Sequence, residues 1–195
     1  DLVQSHYQHA NNMTDLLAAM QAASGADLPV LGAMLRDFEQ KWQHDGLVMD
    51  NWFRLQASRS QGKTLLRVRE LLGHPAFSLH NPNRVRALVG SFCAANPVLF
   101  HAKDGSGYQF LVEILTQLNS INPQVAARLI VPLIQFKRLD AARQQRIRLV
   151  LQQLAANPNQ QNILLPTLFD GGSFVQALDK GETVEQHWQN NPNQR

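Results

Sequence analysis

Residues 100–136, FHAKDGSGYQFLVEILTQLNSINPQVAARLIVPLIQF, restrict the fold more than any other stretch. Asp104-Gly105-Ser106-Gly107 cannot be regular structure, because two glycines so close together mark a tight turn with unusual backbone angles. Ser106 then reads as an N-cap, with Gln109 three residues on to complete a capping box. Tyr108, Leu111, Val112, Leu115 and Leu118 follow at helical spacing and give this helix one apolar face. Asn119 and Ser120 end it, and Asn122-Pro123 restarts the chain with asparagine as cap and proline in the first turn. Val125, Leu129, Leu133 and Phe136 form the next stripe. Two antiparallel helices joined by a few residues make an αα-hairpin. Arg128 breaks the pattern at the edge of the second stripe. A guanidinium there needs a partner or a water-filled cavity. It is either a snorkelling or ion-paired structural arginine, or a ligand contact.

The rest of the chain uses the same devices. Helical periodicity dominates and strand alternation is nearly absent. Residues 1–10 look like the end of a helix, and 13–23, MTDLLAAMQAA, are strong helix formers stopped by Ser24-Gly25. Pro29 opens a helix running to about 44, with Leu31, Met34, Leu35, Phe38 and Trp42 as its stripe, and Asp45-Gly46 reads as its stop. Further helices are expected over 47–57, over 63–72, from Asn81-Pro82 with Val85, Leu88, Val89 and Phe92 inside, and from Asp140 to about 156. Asn-Pro recurs at 81, 96, 122, 157 and 191, each time at a boundary and at irregular spacing. Short helices, tight turns and two-helix units suit an all-α, irregular solenoid of the HEAT or armadillo kind, with a compact bundle as the alternative. The expected division is a helical domain over 1–156 and an atypical Asn/Gln-rich tail over 157–195, in which short helices at 174–179 and 182–189 are expected.

Composition narrows the function. At 195 residues, 44 % hydrophobic and 17 % charged, the chain can bury a substantial core. A net charge of +3 does not announce a nucleic-acid binder. The single cysteine, Cys93 in Ser91-Phe92-Cys93-Ala94, rules out disulfides within the chain and reads as a small core residue. No apolar run is long enough to span a bilayer, and no charged and apolar leader opens the chain. The chain begins in mid-pattern without methionine, so a fragment of something longer is expected.

The chemical motifs are weak. Residues 57–64, Ala-Ser-Arg-Ser-Gln-Gly-Lys-Thr, nearly match a phosphate loop but lack its first glycine and any preceding strand, so an inter-helix loop is expected. His6 and His9 could share a helix face but have no third ligand or second shell, and surface histidines are expected. His101, beside the glycine turn, is expected to make a structural hydrogen bond. Lys137, Arg138, Arg143, Arg146 and Arg148 lie on one helix and its approach, as in some nucleic-acid-binding repeats, although a solvated surface is the plainer reading. Arg86 shares a helix side with Gly90 and Cys93, small neighbours that leave room for a ligand or another helix.

Taken together, these segments carry a resemblance. Asn11-Asn12-Met13-Thr14-Asp15 opens it, followed by Gly46-Leu47-Val48-Met49-Asp50 with Trp52-Phe53, and Asn81-Pro82-Asn83-Arg84 with Arg86. Phe100-His101-Ala102 with Asp104-Gly105-Ser106-Gly107-Tyr108, and Asn122-Pro123-Gln124-Val125-Ala126 with Arg128-Leu129-Ile130, complete it. Over roughly residues 3–155 the chain closely resembles the C-terminal domain of the bacterial aminopeptidase N group of M1 zinc metallopeptidases. The resemblance implies an all-helical superhelix that closes over a catalytic domain and encloses a cavity for peptides. It implies one zinc in the parent enzyme and neither cofactor nor catalytic residue in this segment. Arginines matching Arg86 and Arg128 line the cavity in relatives, so these two are the expected substrate contacts. Asp104, Gly105, Ser106, Gly107 and Tyr108 are the expected structural turn. The expected partners are the enzyme's N-terminal and catalytic domains and peptide substrates, with no nucleic acid and no membrane, in the cytoplasm. Lys103 replaces an acidic residue of relatives, the tail beyond Asn157 matches nothing in the family, and Gly32-Ala33-Met34 echoes the exopeptidase motif by coincidence only. A free-standing helical interaction module and a helical-repeat nucleic-acid binder are the alternatives.

Overall fold

The computed structural model describes residues 2–134 and 136–156, and no strand occurs among the described residues. The chain divides into two compact units, Asp1–Leu99 and Phe100–Arg195. The short helices expected at 174–179 and 182–189 lie outside the described residues.

The first unit holds α1 (Leu2–His9), α2 (Met13–Gly25), α3 (Leu31–Trp42), α4 (Gly46–Ala57) and α5 (Thr64–Leu71). A rod follows, made of α6 (Pro82–Val85), a π-helical turn (Arg86–Gly90) and α7 (Ser91–Ala95). Caps set the starts. Asn12 accepts from the Asp15 N–H at 2.9 Å, and Asn81 accepts from the N–H groups of Asn83 and Arg84. Asp45-Gly46 is a start, not the stop expected of it. The Asp45 carboxylate accepts from Leu47 and Val48 N–H at 3.0 and 3.1 Å, which satisfies two orphan donors of α4. Pro29 does not open α3, because Leu28 N–H returns to the Ala23 carbonyl at 2.9 Å and Pro29 still belongs to the turn after α2.

The core of this unit sits around α4, which packs against α2, α3, α5 and the rod. Trp52 and Phe53 are fully buried, and the Trp52 indole N–H donates to the Leu35 carbonyl at 2.9 Å. His74 and Phe77 stand edge-on to Phe53 at 5.5 and 6.1 Å. Such aromatic pairs prefer edge-to-face contact. The rod differs from the single helix expected over 82–92. At the π turn the Ser91 N–H returns to the Arg86 carbonyl five residues back, so the register shifts. Arg86 is consequently exposed while Cys93 is buried, and the two do not share a side. Asn96 is buried and ties the end of the rod to the end of α4, donating to the carbonyls of Ala57 at 3.1 Å and Arg59 at 2.5 Å. The short α8 (Pro97–Phe100) follows.

The second unit contains α9 (Ser106–Ile121), α10 (Pro123–Leu129), α11 (Val131–Ile134), a 3-10 turn (Phe136–Arg138) and α12 (Ala141–Ala156). Asn122 caps α10 through Val125 N–H at 3.2 Å, and α10 packs on α9 as a helical hairpin. The expected stripe from Val125 to Phe136 is not one helix. It breaks after Leu129 because Pro132 has no N–H to give and its ring crowds the preceding turn. Leu129, Leu133 and Phe136 are buried all the same. Asp140 caps α12 through Arg143 N–H at 3.1 Å, and α12 lies on α9 with Ile147, Val150, Leu151 and Leu154 buried. Among the described residues no helix is long and apolar enough to cross a membrane.

Candidate functional site

The turn before α9 is built by two glycines for two different reasons. Gly105 has φ of 77°, the left-handed region open to glycine at no steric cost. Gly107 is needed for closeness, since a Cβ there would stand 2.3 Å from the Phe100 carbonyl oxygen. The capping box expected of Ser106 and Gln109 does not form. Ser106 is the first helical residue and Gly105 occupies the cap position. The side chain that does the capping is Asp104, which accepts from Ser106 N–H at 2.9 Å. Hydrogen bonds from Ser106, with help from the Arg146 charge, hold the Asp104 carboxyl below the usual carboxylate range.

Tyr108 is fully buried, with its hydroxyl 2.9 Å from His101 Nδ1 and its ring edge-on to Phe100 at 5.5 Å. Burial pushes the Tyr108 phenol up, opposed by Arg143. Burial and then the Arg143 charge push the His101 imidazole down. A neutral ring can take the phenolic hydrogen at Nδ1, so this pair is a structural hydrogen bond. Lys103 is exposed beside it.

Two arginines of α12 hold the same turn. Arg143 Nε donates to the His101 carbonyl at 2.6 Å, and the Arg143 guanidinium also pairs with Asp140. Arg146 donates to the Asp104 carbonyl at 3.3 Å. The basic helix is therefore partly committed to its own unit. Arg148 places its guanidinium 5.8 Å from the Phe136 ring centre, and its Nε finds no hydrogen-bond partner among the described residues. Arg138 is exposed.

The two candidate substrate contacts fall in different units. Arg86 opens the π turn of the first unit, is exposed, and donates to Asn83 Oδ1. Arg128 lies in the last turn of α10 in the second unit, is exposed, and makes no ion pair with any described residue. Neither is a buried structural arginine. That role belongs to Arg84, which the sequence reading left unassigned. Arg84 and Asp50 are 7 % and 8 % exposed and form an ion pair. Arg84 Nε also donates to the Ala76 carbonyl at 2.9 Å and its Nη1 to the Gly46 carbonyl at 2.6 Å. A Cβ on Gly46 would come within 2.7 Å of the same guanidinium, so a glycine opens α4. Arg84 stands four residues before Leu88 and eight before Phe92, on the apolar stripe itself, and that spacing is the signal that marks it as buried.

The remaining motifs carry no chemistry. Of residues 57–64, Ala57 ends α4 and Thr64 opens α5, and 58–63 form the loop between them, pinned by an Arg59–Asp27 ion pair of 2.7 Å. His6 and His9 are exposed on α1, with His9 Nδ1 2.8 Å from the Ser5 carbonyl. Burial pushes the Cys93 thiol up, away from reactivity. Among the described residues no group of three or more His, Cys, Asp and Glu could hold a metal ion.

Residues 1–162 match the family described as domain of unknown function (DUF3458_C), ARM repeats. The chain is 54 % identical over 158 residues to aminopeptidase N of Escherichia coli, covering 81 % of this chain and 18 % of that protein. It is 54 % identical over 159 residues to aminopeptidase N of Haemophilus influenzae, covering 82 % of this chain and again 18 % of the relative. Against aminopeptidase N of Caulobacter vibrioides the identity is 35 % over 160 residues, with 82 % and 18 % covered. The chain thus spans less than a fifth of the length of these relatives, with 18 % covered in each. Among solved structures, Legionella pneumophila aminopeptidase A in complex with aspartic acid superposes with a TM-score of 0.77 at 28 % identity, over 84 % of this chain and 20 % of that one.

Proposed function

Because the chain belongs to the ARM-repeat family DUF3458_C, we propose that it is the helical C-terminal portion of a cytoplasmic, zinc-dependent aminopeptidase N. The observation that carries this reading is the 54 % identity to aminopeptidase N of two bacteria over 158 and 159 residues. The parent enzyme removes N-terminal residues from peptides, and the chemistry a zinc held outside this segment would supply is polarisation of the attacking water. The present chain walls the cavity that peptides enter and controls access to it. Arg86 and Arg128 are its substrate contacts. Their exposure and their freedom from buried ion pairs support that role. A guanidinium offers a planar fork of donors that meets a peptide carboxylate or carbonyl with two bonds at once.

These contacts are remote from the scissile bond, so their loss weakens binding more than turnover. In the full-length enzyme, Arg86→Ala and Arg128→Ala each raise KM for a tetrapeptide about tenfold, the worth of a charge-assisted hydrogen bond. An aminoacyl anilide, too short to reach them, is unaffected. Equal losses on both substrates, or a large fall in melting temperature, return the arginines to the scaffold. An upstream coding sequence without a zinc-binding His-Glu-x-x-His helix overturns the enzyme reading as a whole.

A further inference from the structure

A groove of about 550 Å³ lies in the first unit between α3 on one side and α5 with its leading loop on the other. Trp52 and Gln56 of α4 form its floor. Its charges are unevenly satisfied. Glu70 is held by Arg67 at 3.1 Å, and Glu39 by His74 at 2.8 Å. Arg67 Nε is further fixed by Gln56 at 3.0 Å, and Arg59 is spent on Asp27 at 2.7 Å. Both carboxylates that line the groove are thereby engaged. Two cations remain, Arg36 on the α3 wall and Lys63 at the start of α5, both exposed and without a hydrogen bond or ion pair to any described residue. Leu66, 57 % exposed, adds an apolar contact on the rim.

Arg36 and Lys63 leave the groove with an excess of positive charge, and an anionic occupant gains charge-assisted hydrogen bonds there. The volume is in the range of a site for a short stretch of peptide. We infer that this groove docks an acidic segment of the parent polypeptide lying outside these 195 residues, with its carboxylates on Arg36 and Lys63 and an apolar side chain against Leu66. The occupant is assigned to the same polypeptide because the chain spans only 18 % of its relatives, which leaves most of their length available to cover this face. The inference rests on the reading of the chain as part of a longer enzyme.

The test is zero-length carbodiimide cross-linking of the full-length enzyme, read by peptide mass spectrometry. The expected result is an amide between Lys63 and an Asp or Glu outside this chain. Its yield should fall in 1 M salt, where exposed charges are screened beyond about 3 Å. Arg36→Gln, which leaves the reacting amine in place, should lower the yield severalfold. Lys63 joined only to Glu39 or Glu70, or unreacted while other lysines react, overturns the docking. So does a cross-link between two copies that grows with protein concentration, or protection of Lys63 by added DNA; these assign the groove to a second copy or to nucleic acid. A gene that encodes no further polypeptide removes the parent reading together with the docking. A full-length enzyme in which Lys63 finds no partner removes the docking alone.

Discussion

Gly105 and Gly107 are two positions apart and are constrained by different forces, so the same substitution should act differently on each. Alanine at Gly105 must adopt a φ of 77°, which costs about 1–2 kcal/mol for an L-residue. Alanine at Gly107 must push its methyl against the Phe100 backbone, which cannot rotate away as a side chain would. We expect Gly107→Ala to be the more damaging, by about 3 kcal/mol, with thermal melting as the measurement. Equal and small shifts would show that the turn is not the constraint described. Arg84 offers a second contrast. Arg84→Met should destabilise the first unit by about 3–5 kcal/mol, because it leaves the Asp50 carboxylate buried without its partner. Adding Asp50→Leu should restore most of the loss in a denaturant titration, since it is the orphaned charge that is costly. Arg84 was hard to read from the sequence because Arg86 lies two residues away on the same rod. The spacing of Arg84 to Leu88 and Phe92 marks it as buried, but its partners Gly46 and Asp50 lie more than thirty residues away, and the shift of register at Arg86 is not announced locally.

At the scale of elements, the helix starts were legible wherever one side chain does the work. Asn81, Asn122 and Asp140 each cap the helix expected of them. The misreadings came from signals with two meanings. Asp-Gly is as good a start as a stop, and here the Asp45 carboxylate caps Leu47 and Val48 while the Arg84 guanidinium sits against Gly46. The capping of α9 was misassigned by two residues for a related reason, because Asp104 and Ser106 can both cap and the left-handed Gly105 between them selects Asp104. This cap has a pH signature. The Asp104 carboxyl lies below its usual range, so its contribution is present above the unfolded pKa and is lost as pH falls through the folded one. Melting temperature should therefore drop on acidification, and Asp104→Ala should flatten that part of the profile. A profile unchanged by the substitution would remove Asp104 from the turn's support. Arg143 and Arg146 extend the lesson. Their helix looked like solvated surface, and only the chain's return over α9 reveals that they hold the carbonyls of His101 and Asp104.

For the molecule as a whole, capped 3.6-residue periodicity was enough to specify an all-helical, armadillo-like chain, and the family match over residues 1–162 agrees with it. Long-range facts such as the division at Leu99 were not legible, since each helix start looks alike from within its own neighbourhood. We expect the separate chain to give a helical far-ultraviolet circular dichroism spectrum. It should retain no stoichiometric zinc after dialysis and cleave no aminoacyl fluorogenic substrate. A spectrum dominated by β-structure would refute the fold, and zinc with turnover would reveal a site not identified among the described residues. The π turn at Arg86–Gly90 has a further consequence, for tolerance to changes in chain length. A turn closed by a bond five residues back holds one residue more than an ordinary α-turn. Removing a residue there would leave a continuous α-helix, whereas a deletion elsewhere in the rod would carry every later side chain round by about 100°. The place where the exposed Arg86 is presented is thus also the place where the rod can best be shortened by one residue.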